Sequence, residues 1–74
     1  MRETLAAVLR HHCGLCYQNT GMALELICET LAHEHGLPAF WSGRSIWIDG
    51  VRVASIETSR EGPGCVAIYQ YWIL

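Results

Sequence analysis

Ser45-Ile-Trp-Ile-Asp-Gly-Val-Arg-Val-Ala54 constrains the fold more than any other stretch of this chain. Asp49-Gly50 is a two-residue type I′ turn signal between flanks rich in β-branched and aromatic residues, so the segment reads as a hairpin. The turn fixes a register, with Ile48 opposite Val51, Trp47 opposite Arg52 and Ile46 opposite Val53. Side chains alternate across a strand. One face is then aliphatic (Ile46, Ile48, Val51, Val53) and belongs on a core, while the other sets Trp47 against Arg52, close enough for a cation–π contact.

Ahead of the hairpin the period is helical. Leu5, Val8, Leu9 and His12 recur at i, i+3, i+4 and i+7, which predicts a helix over 2–12 that stops at Gly14. A second helix is expected over 20–35, capped by Asn19 or Thr20 and ended by Gly36. Its apolar stripe is Leu24, Ile27, Cys28 and Leu31, and its outer side carries Met22, Glu25, Glu29 and His33. Residues 39–42 begin a strand or lead into one. After a turn-rich loop at 58–64, Cys65-Val-Ala-Ile-Tyr-Gln-Tyr-Trp-Ile-Leu74 reads as a strand that is apolar or aromatic on both faces. The expected fold is α+β, one domain over residues 1–74. Two N-terminal helices pack on one face of a three-stranded antiparallel sheet (α-α-β-β-β).

At 74 residues the chain has room for one core and little else. A content of 51% hydrophobic and 16% charged residues argues against disorder. The net charge is −2, and the chain has five Arg and no Lys. No basic stripe forms, so nucleic acid is not the expected partner. No apolar run of about 18 residues is present to cross a membrane, and the N-terminal apolar run is too short and broken for a signal peptide. The chain therefore reads as cytoplasmic, with Cys13, Cys16, Cys28 and Cys65 as thiols or metal ligands rather than disulfides.

Two chemistries suggest themselves at His11-His12-Cys13-Gly14-Leu15-Cys16. Cys13-x-x-Cys16 supplies two thiolates at a spacing that suits tetrahedral zinc, with His12 as a third ligand, but no second ligand pair has the spacing to complete the site. The same pair invites a thiol-redox reading, yet it follows a helix, whereas such motifs open one. No Ser-His-Asp or Cys-His-Asn arrangement can be drawn, and no enzymatic activity is expected.

Surfaces remain. Trp47, Arg52 and one face of strand 65–73 form a candidate binding patch, with Trp41 at its edge, since Trp, Tyr and Arg dominate binding hot spots. Either Trp72 or the Tyr69/Tyr71 pair is expected in the core, and the other on the surface. Glu25 and Glu29 repel one another at i,i+4, which suits a basic partner. The function expected is a non-enzymatic protein-interaction module that binds a larger protein or itself, the simplest form being a homodimer through the sheet face or the edge of strand 65–73. Small chains without a catalytic set include phage-type inhibitors of host machinery, anti-CRISPR proteins among them, and size alone places this chain beside them.

Overall fold

The computed structural model describes all 74 residues. Helix α1 spans Arg2–His12 and α2 spans Thr20–His35. Both follow from their local chemistry. The Asn19 side chain accepts the Met22 N–H at the start of α2. Gly36 closes it in the left-handed conformation, φ 66°, which a residue without Cβ adopts freely. The apolar stripes Leu5, Val8, Leu9 and Leu24, Ile27, Leu31 are buried as their spacing requires.

The sheet has four strands, not three: β1 (Ala39–Ser42), β2 (Ser45–Ile48), β3 (Val51–Gly62) and β4 (Cys65–Ile73). They form an antiparallel meander in the order β1-β2-β3-β4. Residues 39–42 become a full strand because Gly43, φ 62°, opens a tight turn that pairs Ser42 with Ser45. The Asp49-Gly50 turn forms with both residues at positive φ, 53° and 76°, as type I′ demands.

Beyond that turn the register holds for two pairs, Ile48 with Val51 and Trp47 with Arg52, and then slips. A bulge makes Ala54, not Val53, the partner of Ile46, and Val53 and Ala54 are both buried. Val51, beside the turn, is exposed and not part of the core.

A second bulge falls in β4. Glu57 pairs with Gln70 and Thr58 with Ile68, leaving Tyr69 as the extra residue. One added residue exchanges the faces of a strand. Ile68 therefore joins the core and Tyr71 and Ile73, partly buried, pack against it, while Tyr69 and Trp72 are exposed. The expected choice between Trp72 and the Tyr69/Tyr71 pair is thus replaced by a division within the pair.

Both helices lie on the face that carries Ile46, Ile48, Ala54, Ile56 and Ile68, and together they enclose one core. A hydrogen bond of 2.7 Å between the hydroxyls of Thr20 and Thr58 ties the start of α2 to β3. No helix is long and apolar enough to cross a membrane.

Candidate functional site

The face of the sheet turned away from the helices is the candidate site. Alternation and register place Phe40, Trp47 and Arg52 in one row across β1, β2 and β3, with Ser45, Ser55 and Trp72 in the next. Phe40 is 69% exposed and Trp72 42%, so Phe40 stands largely open and Trp72 presents somewhat less than half of its surface. Trp47 is half-buried between its neighbours, and its indole Nε1 is buried without an acceptor. Leaving a buried donor unpaired costs about 1–3 kcal/mol, and because this atom is closed to solvent, Trp47 offers a partner the exposed part of its ring and not its N–H.

Arg52 lies opposite Trp47 as its register requires, but no cation–π contact forms between them. The chain has one ion pair between side chains, Arg44 with Glu57 at 3.7 Å, and Arg52 takes no part in it. The row therefore offers a free guanidinium among aromatic rings. Trp41 lies elsewhere. It pairs with Ile46 on the helix side of the sheet, and its Nε1 donates to Glu25 Oε2 at 2.9 Å. Glu25 and Trp41 thus belong to the α2 flank, and Glu29 is exposed one turn further along the same helix. Tyr71 is withdrawn into the core margin, while Tyr69 stands out at the bulge.

Phe40 is the site residue that sequence reasoning missed. Its signal was present: extending the hairpin alternation back through Ser42-Gly43-Arg44-Ser45 puts Phe40 opposite Trp47.

The cysteine region is arranged differently from expectation. Cys16 and Cys65 form a disulfide, with an S–S distance of 2.03 Å, so the expectation of thiols or metal ligands is corrected for these two, while Cys13 and Cys28 are free. The connector after α1 runs along the outer edge of β4. Tyr17 and Val66 exchange backbone hydrogen bonds of 2.9 and 2.7 Å, and the Gly14 N–H reaches the Ile68 carbonyl at 3.4 Å. That pairing brings Cys16 beside Cys65. Cys13 packs against the core while Cys16 is exposed. The Cys13-x-x-Cys16 pair is therefore split and does not act as a dithiol in this structure.

His12, the third proposed zinc ligand, is buried, and its Nδ1 shares a hydrogen bond with the Tyr17 hydroxyl. No group of three His, Cys, Asp or Glu side chains lies close enough to hold a metal ion. Burial pushes the thiols of Cys13 and Cys28 up, that of Cys28 to about 11 with the Glu25 charge adding to the effect.

Burial, assisted by the charge of His11 and opposed by Glu34, holds His12 below the ordinary histidine value of 6.5. In the window below 6.5 the unfolded chain binds the proton that folded His12 refuses. Stability is therefore full above 6.5 and is lost as pH falls through the lower, folded value. Urea midpoints measured from pH 7.5 to 5 are expected to decline, and His12→Gln is expected to flatten part of that decline. An equal slope in the variant would show that His12 is not the group responsible.

A cavity of about 270 Å³ lies between the helices, lined by Ala7, Val8, His11, His12, Thr30, Glu34 and His35. It is smaller than the usual range for a small-molecule site. Comparison with protein-family models, curated proteins and solved structures finds no match to this chain.

Proposed function

We propose that the chain is a small non-enzymatic protein-interaction module that binds a larger protein through the face of the sheet opposite the helices. The observation that supports this reading best is the exposed Phe40, Arg52 and Trp72 grouped around the half-buried Trp47, in a fold whose core is complete without them. Aromatic residues and Arg are the side chains that most often carry binding energy.

Size and the lack of a catalytic set carry the narrower proposal, an inhibitor of host machinery of the phage type. On this proposal the chain resides in the cytoplasm, where reducing conditions hold thiols open, so the Cys16–Cys65 pair is expected to be recovered reduced from cells. Self-association through the sheet face is the competing occupant. Self-association through the edge of β4 is confined to residues 70–73, because the connector already occupies Val66 and Ile68.

The test is quantitative recovery of partners on tagged parent and on the variants Trp72→Ala and Arg52→Glu, with light scattering of the free proteins. A partner retained by the parent and reduced tenfold or more by each variant is the expected result, since one hot-spot truncation is worth about 2 kcal/mol or more. Equal recovery on all three proteins would place the binding surface elsewhere.

A further inference from the structure

The two edges of the sheet are managed differently. The outer edge of β4 is occupied at Val66 and Ile68 by the connector that the disulfide holds in place. The outer edge of β1 is bonded to nothing: outside the β1–β2 ladder, no backbone group of Ala39–Ser42 enters a hydrogen bond. Half of the backbone donors and acceptors of such a strand point away from its neighbour. Natural edges are usually guarded by charge, a bulge, a covering loop, Pro or a very short strand, and β1 has only the last two, Pro38 before it and a length of four residues. Strand β1, Ala-Phe-Trp-Ser, has no charged residue and a regular register. Phe40 and Trp41 are exposed on its opposite faces.

The unpaired charges on the α2 side of this edge are carboxylates, while Arg44 in the turn after β1 is engaged by Glu57. Trp41 on β1 holds Glu25, and Glu29 follows one turn along α2. Neither carboxylate has an ion-pair partner, and at i,i+4 they repel one another. Antiparallel addition of a second copy through β1 would lay two α2 helices side by side over one face of the joined sheet. Like charges would then flank both sides of the seam, and such pairing is disfavoured. A strand with Lys or Arg on its helix-facing side meets the opposite condition.

From the free edge and this charge, we propose that β1 takes up an extended, basic segment of a partner protein as a fifth strand. Backbone pairing to β1 supplies register, and Glu25 and Glu29 supply the preference for cations. The proposal deepens the interaction reading and rests on it for the existence of a protein partner.

The experiment uses the full, oxidised chain and three ten-residue peptides. One alternates Lys with Val and Thr, a second carries Glu for each Lys, and a third is the basic peptide with two central Pro. Binding is followed by NMR titration at low salt and by amide hydrogen exchange. The basic peptide is expected to bind, to slow exchange of β1 amides at least tenfold, and to bind at least tenfold more tightly than the acidic or Pro-containing peptide. Glu25→Gln with Glu29→Gln is expected to weaken it by roughly threefold to tenfold.

Absence of binding, equal affinity for acidic and basic peptides, or binding without protection of β1 would each overturn the proposal. Concentration-dependent protection of β1 in the chain alone would overturn it in favour of a second copy. Trp72→Ala lies on β4 and is expected to leave peptide binding unchanged. Loss of partner recovery in Trp72→Ala without peptide binding would therefore sink the edge proposal alone. Peptide binding with normal recovery in Trp72→Ala would sink the open-face reading alone.

Discussion

Reduction of Cys16–Cys65 is expected to lower the stability of the folded chain by about 2–4 kcal/mol. The two cysteines are 49 residues apart in sequence, so their bond closes most of the chain into a loop and removes a large share of the freedom of the unfolded state. In a domain of this size each kcal/mol moves the melting temperature by about 4–8 °C, which predicts a drop on the order of 10–30 °C. Thermal melts with and without a phosphine reductant measure it, with Cys16→Ser as the genetic equivalent. Cys13→Ser is the control that retains the disulfide. A linked Cys16–Cys65 peptide in a digest under non-reducing conditions identifies the bond. Identical melts for parent and Cys16→Ser would remove the cystine from the account, and with it the anchoring of the connector to β4.

Ile56→Ala is expected to cost about 2–5 kcal/mol, as full truncation of a buried aliphatic side chain does when its surroundings relax only in part. Ile56 is fully buried, and its strand, β3, pairs on both sides. Its cross-strand partner Tyr71 packs against the same core. Trp72, the next residue on β4, faces the other way and is 42% exposed. Trp72→Ala is expected to cost less, about 1–2 kcal/mol, because only part of the ring is packed against the sheet. Chemical denaturation of the two variants measures the contrast. A Trp72→Ala loss as large as that of Ile56→Ala would mean that the open face holds the fold together rather than being free to bind.

Much of this architecture is legible in the amino-acid order because the signals are local. Asn19 and Gly36 mark the ends of α2, the apolar spacing marks both core stripes, and Asp49-Gly50 sets the first two pairs of its hairpin. The bulges leave no such mark. Strand β4 is apolar on both faces, so inserting Tyr69 changes no hydrophobic pattern, yet it reverses which of Tyr71 and Trp72 is covered. Strand β1 is four residues long, too short for alternation to stand out. The disulfide depends on the connector doubling back along β4, and four cysteines permit three complete pairings that spacing alone cannot separate. Of the candidate site, Trp47 and Arg52 lie on the face the hairpin turn implies, and Trp72 joins them there, a placement the two-faced pattern of β4 left open. Trp41 moves to the helix side because the extra strand gives it Ile46 as a partner and Glu25 as an acceptor.

The central claim is that the face without helices meets the partner. Hydroxyl-radical footprinting of the complex with a recovered partner tests it most directly, because the modification of each side chain is read separately. Protection of Phe40, Trp47 and Trp72, with Met22, Leu26 and His33 on the exposed side of α2 modified as in the free chain, is the result this account predicts. Protection of Met22, Leu26 and His33 with the three aromatic residues unchanged would contradict it.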